Sequence, residues 1–209
     1  MKLYDWHAAP NPKRARMCIA EKGLDIEIIE VGGDDLKLRP DYIAKFPQAM
    51  VPMLELDDGR QLGESIAIAR YIDEMYPSPP MFGRNAYERG VVEMWERRAF
   101  DEGMMAAGEV FRNTHEAFID RGLPGFAVPV PQIPALVDRG RMRLELFFRK
   151  FDEQLANNRF IAGDMFSIAD CTLFCSVEFA FWSDIKIPAD CRNLQRWFDE
   201  VSARPSAKA

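Results

Sequence analysis

The chain has 209 residues, of which 48% are hydrophobic and 29% are charged. At roughly 150 residues per domain this length allows one or two domains, and the composition excludes a globally disordered chain. Because 33 acidic residues outnumber 27 basic ones, the net charge of −6 disfavours contact with a phosphate backbone, so we expect no nucleic-acid partner.

The cysteines and the apolar segments argue against three further classes of protein. No segment has the pattern of a signal peptide or of a membrane span, so no membrane partner is expected. Two histidines and four cysteines without a CxxC pair do not suggest a zinc site, and we expect no metal. We interpret Cys18, Cys171, Cys175 and Cys191 as buried free thiols of a cytoplasmic protein.

The first eighty residues alternate between strand and helix signals. A strand is predicted over 2–6, and a helix begins at Asn11-Pro12, because proline fits the first helical turn. A second strand over 26–31 and a short helix over 41–46 follow.

A hairpin and a third helix complete this first part of the chain. Residues 53–56 and 61–62 flank Asp58-Gly59, which supplies the positive φ that a tight hairpin turn requires. A helix over 64–76 is stopped by the proline cluster of residues 77–80.

Strand signals end at this proline cluster, so we predict two domains, at 1–78 and 86–209. Helical periodicity continues over 89–116, 136–157, 168–182 and 193–203. The third of these segments is apolar on nearly every side, which is typical of the central helix of a bundle. The fold class is therefore an α/β domain followed by an all-α domain.

Three local features point beyond architecture. Val51-Pro52 lies where a loop enters a strand. A cis bond there would turn the backbone N–H and C=O of Val51 outward, and a simple proline at the start of a strand is the alternative.

Glu64-Ser65, the second feature, opens a helix. Free N–H groups there favour an anion, and Glu64 could accept a hydrogen bond from an ammonium. Taken alone, the pair is better explained as an ordinary helix N-terminus.

The third feature has a structural interpretation. Ser167 and Asp170 are spaced as a capping box in front of an apolar run. We therefore assign this pair to helix nucleation and not to catalysis.

In this order, these features resemble the glutathione transferase family over nearly the whole chain. Phe160–Asp164 and Phe166–Asp170 resemble the capping segment of its helical domain, and 9–16 with 94–98 resemble bacterial relatives of an atypical fungal class. The resemblance implies a thioredoxin-like N-terminal domain, glutathione as co-substrate, a homodimer and a role in detoxification.

The resemblance also implies roles for individual residues. Val51 would bind the cysteinyl unit of glutathione beside cis Pro52, and Glu64 with Ser65 would hold the γ-glutamyl head. Lys37 is the candidate for the glycine carboxylate, and Lys13 would add positive potential near the thiol.

The chain departs from the family where a Ser, Tyr or Cys usually stabilises the thiolate. Ala9 occupies the matching position, and the Ser and His used by the atypical class match Gly108 and Arg112 here. Asn11 and Arg112 are therefore the candidate catalytic residues. The alternative for Arg112 is a solvated arginine. The alternative for its neighbour Asn113 is an ordinary asparagine on the helix surface.

The second substrate is expected between the domains. Trp6, His7, Phe111 and His115 are the candidates for an apolar pocket, although aromatic residues in helices are more often core. The leading interpretation is an enzyme that joins the glutathione thiolate to small hydrophobic electrophiles. A non-catalytic glutathione-binding protein and a glutathione-dependent peroxidase are the alternatives; a cysteine-based reductase is disfavoured because no cysteine begins the first helix.

Overall fold

The computed structural model describes residues 1–33, 37–48, 50–125 and 128–209. Its first part contains four strands: β1 (Lys2–Asp5), β2 (Glu27–Glu30), β3 (Met53–Glu55) and β4 (Gln61–Gly63). Three helices accompany them: α1 (Pro10–Glu21), α2 (Pro40–Lys45) and α3 (Ser65–Met75). Each lies within a few residues of its predicted position.

The sheet has the order β2-β1-β3-β4 and is mixed. β1 pairs in parallel with β2 and antiparallel with β3, which pairs antiparallel with β4. Because successive side chains of a strand point to opposite faces, Leu3 joins the main core while Tyr4 joins a smaller cluster with Tyr42 and Phe46 of the α2 region. This is the thioredoxin-like arrangement that the resemblance predicts.

The second part of the chain is helical. Its helices are α4 (Ala86–Arg98), α5 (Met105–Thr114), α6 (Pro134–Leu155), α7 (Ile168–Phe181) and α8 (Arg192–Ser202). α7 is buried on nearly all sides, as predicted for the central helix of the bundle. The domain limits of 1–78 and 86–209 stay a prediction. Strands β1–β4 lie within 1–78, and α4–α8 lie within 86–209.

One prediction for this part was wrong. The single helix expected over 89–116 is interrupted by a π-helical turn, Ala99–Met104, between α4 and α5. Within that turn Ser176 donates to the carbonyl of Ala99 at 3.1 Å and Arg143 donates to the carbonyl of Asp101. These two side chains supply hydrogen-bond donors to backbone carbonyls of the turn. Such contacts from outside the regular α-helical hydrogen-bond pattern commonly accompany π-helical turns.

The start of α7 is held by the predicted capping box. The carboxylate of Asp170 accepts from the N–H and hydroxyl of Ser167, both at 3.0 Å, and also from the Ile161 N–H at 2.9 Å and the Trp197 indole at 3.0 Å. Burial raises the pKa of Asp170 to about 6, so the carboxylate that accepts these bonds is ionised at neutral pH. Asp170 therefore ties α7 to α8 as well as capping it.

None of the helices in the described residues is long and apolar enough to cross a membrane.

Replacing Asp170 by alanine is expected to lower the free energy of unfolding by about 3 kcal/mol, because a cap is lost and buried N–H donors are left unpaired. Denaturant unfolding measures the change. Asp138→Ala, at an exposed position of α6, is the control and should change stability by less than about 0.5 kcal/mol. Equal effects of the two substitutions would contradict the assigned role.

Candidate active site

The sheet register brings the predicted binding segments to one end of the sheet. Met53 pairs with both Tyr4 and Gly63. Since β3 is antiparallel to β1 and β4, the residues just before Met53 lie beside those just after Tyr4 and Gly63. Val51-Pro52, Glu64-Ser65 and the segment leading into α1 therefore converge.

The Val51-Pro52 peptide bond is cis, as the resemblance predicts, and Pro52 is buried. The hydroxyl of Tyr42 donates to the carbonyl of Met50, which anchors the segment in front of it. Among the described residues, neither the N–H nor the C=O of Val51 has a hydrogen-bond partner. Both groups are thus available to a ligand with an extended backbone. Ala49 lies outside the described residues.

Glu64 and Ser65 have different environments. Glu64 is exposed and has a φ of 64°, a left-handed conformation that is uncommon outside glycine and often found at functional sites. Ser65 is the first residue of α3 and is buried, and its hydroxyl donates to the carbonyl of Asn11 at 2.7 Å. Glu64 holds the N-cap position of α3, and the Ser65 hydroxyl is bonded to α1 and does not cap its own helix.

Lys37 lies in a turn that follows β2. Its carbonyl accepts from the Gly33 N–H at 2.7 Å, and its side chain is exposed. The indole of Trp6 lies directly on Gly32, where an added Cβ would come within 2.1 Å of the ring. Trp6 therefore packs beside the turn that carries Lys37, and it does not line the clefts near His7 or α4 described below.

The first turn of α1 carries a buried charge network. Arg14 donates to the Glu96 carboxylate of α4 at 3.3 Å and to Asn11 Oδ1 at 3.0 Å. Thr172 of α7 donates to the same Glu96 oxygen at 3.1 Å. Burial lowers the pKa of Arg14 and raises that of Glu96, while each opposes the shift of the other. The start of α1 is thus bound to two helices of the other domain.

A second buried arginine shapes the loop before α1. Arg16 makes two 2.7 Å bonds to the Asp5 carboxylate and donates to the His7 carbonyl at 3.0 Å. The His7 N–H in turn donates to Glu30 at 3.0 Å. These bonds fix residues 6–9, where the family places its thiol-stabilising side chain.

A cleft of about 290 Å³ lies between this loop and the end of α7. His7, Ala9 and Pro10 form one side, and Phe179 and Trp182 form the other. Lys13 also lines the cleft, but its ammonium bonds Glu178 at 2.7 Å and lies 5.0 Å from the Phe174 ring. The positive charge predicted near the thiol is therefore balanced by a carboxylate of the helical domain.

The other predicted pocket residues lie behind this cleft. Phe111 packs edge-on against Phe179 and Trp182, each 5.5 Å away between ring centroids, and tilts against His115 at 5.1 Å. His7 lines the cleft directly, and Phe111 supports its wall; Trp6 lies elsewhere.

Arg112 is turned towards the loop after α5. Its guanidinium donates to the carbonyl of Arg121 at 3.1 Å and lies 4.7 Å from the Phe118 ring. Burial, together with the charge of Arg121, lowers the pKa of Arg112 to about 10. Neighbouring Asn113 accepts from the Ile133 N–H at 2.7 Å. None of these contacts reaches the start of α1, so the structure does not bring Arg112 together with Asn11.

Comparison with known proteins agrees with this geometry. Residues 3–80 match the model of the glutathione S-transferase N-terminal domain, and residues 116–205 match that of its C-terminal domain. Glutathione S-transferase 2 of Saccharomyces cerevisiae is 31% identical over 213 residues, covering 100% of this chain and 88% of that protein. The chain belongs to the glutathione S-transferase family.

Solved structures support the same assignment. Gtt2 from Saccharomyces cerevisiae has a TM-score of 0.86 at 31% identity, covering 100% of this chain and 99% of that one. A Gtt2-class glutathione S-transferase of Vibrio parahaemolyticus has a TM-score of 0.82 at 32% identity, with coverage of 100% and 96%. The predicted resemblance to bacterial relatives of an atypical fungal class is confirmed.

Two acidic residues of this transferase site were missed by sequence reasoning. Glu96 and Glu178 partner Arg14 and Lys13 across the domain boundary. Glu96 lies in the segment 94–98 that carries part of the resemblance, and the basic residues at 13, 14 and 16 gave no indication of their partners. Among the described residues, no group of three or more His, Cys, Asp or Glu side chains could hold a metal.

The cysteines of this transferase are expected to be unreactive in the folded protein. All four are free and buried, and burial raises the pKa of Cys18 and of Cys175 to about 12. Ellman's reagent should therefore modify none of them rapidly in the native state and all four in denaturant. A fast-reacting native thiol would contradict this account and would favour the reductase alternative.

Proposed function

We propose that this transferase binds glutathione at the end of its sheet and joins the glutathione thiolate to a small hydrophobic electrophile. The observation that carries the proposal is the convergence of Val51, Glu64-Ser65 and Asn11, with Ser65 hydrogen-bonded to the carbonyl of Asn11 at 2.7 Å. A ligand held at one of these points is thereby held near the others.

The two ends of glutathione match the chemistry of the site. The N–H and C=O of Val51, which have no partner among the described residues, suit the cysteinyl unit beside cis Pro52. The free N–H groups at the start of α3 suit the γ-glutamyl carboxylate, and exposed Glu64 suits its ammonium. Exposed Lys37 is the proposed partner of the glycine carboxylate.

The thiol requires a donor in place of the missing hydroxyl. A free thiol has a pKa near 8.5, and lowering it by about two units requires roughly 2.7 kcal/mol. A helix N-terminus supplies only about 0.3–1 kcal/mol at the surface. A hydrogen bond to a charged group adds about 1.5–3 kcal/mol, so the Asn11 amide together with the N-terminus of α1 is sufficient.

The electrophile would occupy the cleft formed by His7, Ala9, Pro10, Phe179 and Trp182. Its aromatic wall of Phe179 and Trp182 and its volume of about 290 Å³ favour a small hydrophobic compound. The thiolate attacks an electrophilic carbon and forms the C–S bond. A halide leaves with the electron pair, or an opened epoxide oxygen takes up a proton. We further propose a cytoplasmic homodimer, in keeping with the free cysteines and with the family resemblance. A second cleft of about 530 Å³ lies open between α3 and α4.

A test of this function is the ultraviolet titration of glutathione bound to the purified protein. The thiol pKa should fall well below its free value, and Asn11→Ala should raise it by about one to two units, since one charged hydrogen bond is removed. Arg112→Ala should leave it unchanged, because the guanidinium is bonded to the loop after α5.

The other outcomes separate the alternatives. Glutathione that binds with an unshifted thiol pKa would contradict conjugation and indicate a binding protein. A rise with Arg112→Ala but not with Asn11→Ala would reverse the assignment of the donor. Turnover of a hydroperoxide but not of an aryl halide, with the same Asn11 dependence, would favour the peroxidase.

A further inference from the structure

Arg14 connects Asn11 to the helical domain. Its guanidinium is almost fully buried, with 3% of the residue exposed, and it lies 4.9 Å from the Phe100 ring. One terminal nitrogen, Nη1, donates to Glu96, and the other, Nη2, donates to Asn11 Oδ1 at 3.0 Å. The planar guanidinium of Arg14 therefore contacts both the Glu96 carboxylate on α4 and the Asn11 side-chain amide on α1.

The chemistry of this contact determines the orientation of the Asn11 amide. A guanidinium only donates hydrogen bonds, so the atom of Asn11 that faces Arg14 must be the carbonyl oxygen. The amide nitrogen Nδ2 is then turned to the opposite side of the group. Among the described residues Nδ2 has no hydrogen-bond partner, and Asn11 is only half-buried. Nδ2 is therefore available as a donor to a ligand.

The acid that holds Arg14 is itself held in place. Glu96 accepts from the hydroxyl of Thr172 at 3.1 Å, so α4 and α7 both fix the carboxylate. The surrounding charges are Glu64 at the start of α3, Arg97 on α4, Asp101 in the π-helical turn after it, and the neutral Lys13–Glu178 pair between α1 and α7. None of these other groups has a described hydrogen bond to the Asn11 side chain.

We propose that Arg14, held by Glu96 and Thr172, is a positioning residue that keeps the Asn11 amide with Nδ2 directed at the glutathione sulfur. This inference rests on the proposed function. In the absence of Arg14, rotation of the amide by half a turn presents the carbonyl oxygen, which repels a thiolate. The helical domain thus controls the donor on α1 through a chain of three side chains.

The test removes the buried pair as a unit. Arg14→Met combined with Glu96→Met leaves no unpaired buried charge, so the protein is expected to fold. The pKa of the bound glutathione thiol should rise by about one unit, which is about a tenfold loss of thiolate at pH values well below the thiol pKa. The affinity for glutathione, measured by calorimetry below the thiol pKa, should change by less than about threefold, because Val51, Glu64 and Ser65 are intact.

A matched control exists in the same region. Arg70 and Glu93 form another Arg–Glu pair between α3 and α4, at 3.3 Å, without contact to Asn11. Arg70→Met with Glu93→Met should leave the thiol pKa unchanged. Arg14→Lys gives a second variant that retains the charge but lacks the fork, and it should also raise the thiol pKa.

A double-mutant cycle separates positioning from a general electrostatic or structural effect. In an Asn11→Ala background, removal of the Arg14–Glu96 pair should shift the thiol pKa by less than about 0.3 units, because Arg14 acts through the amide. The inference would be overturned if removal of the Arg14–Glu96 pair shifted the thiol pKa by about one unit both with Asn11 intact and in the Asn11→Ala background. It would also be overturned if the folded Arg14→Met, Glu96→Met variant, with Asn11 intact, had an unshifted thiol pKa. If Asn11→Ala itself has no effect, the proposed thiol donor fails as well, and the two failures are thereby distinguished.

Discussion

The first turn of α1 is the point at which the two domains and both parts of the site are held together. The carbonyl of Asn11 accepts from Ser65, and its side chain accepts from Arg14, which is bound to Glu96 of the helical domain. A buried ion pair of this kind contributes little net stability compared with an apolar pair, but breaking it is costly. The ion pair acts here by positioning, because it fixes the start of α1 against α4, which lies far away in the sequence.

The elements that depend on local sequence could be predicted. Alternating residues gave β1, proline fixed the start of α1, and Asp58-Gly59 fixed the hairpin between β3 and β4. The capping box of Ser167 and Asp170 was likewise found from its spacing alone. The register of the strands then brings Val51-Pro52 and Glu64-Ser65 to one end of the sheet, while their roles in binding stay predictions.

The features that depend on distant partners could not be predicted. Arg14 and Glu96 are 82 residues apart and Lys13 and Glu178 are 165 apart, and no spacing rule pairs charges at such separations. The direction of Arg112 depends on a carbonyl presented by the loop after α5. Trp6 was expected in the second-substrate pocket, but the absence of a side chain at Gly32 provides a flat surface for its ring.

The chemistry of the site follows from combining groups that are individually weak. Ala9 provides no hydroxyl, so in the proposed mechanism a helix terminus and a neutral amide together stabilise the thiolate, which neither does sufficiently alone. A neutral donor must also be held in the correct one of its two orientations. That requirement links the proposed catalytic role of Asn11 to the burial of Arg14.

The most direct measurement is a crystal structure of the protein with glutathione, determined at a pH where the bound thiol is ionised. The account predicts Asn11 Nδ2 within hydrogen-bond distance of the sulfur, with Oδ1 still bonded to Arg14. A sulfur bonded instead to Arg112, or an Asn11 amide directed away from the ligand, would contradict it.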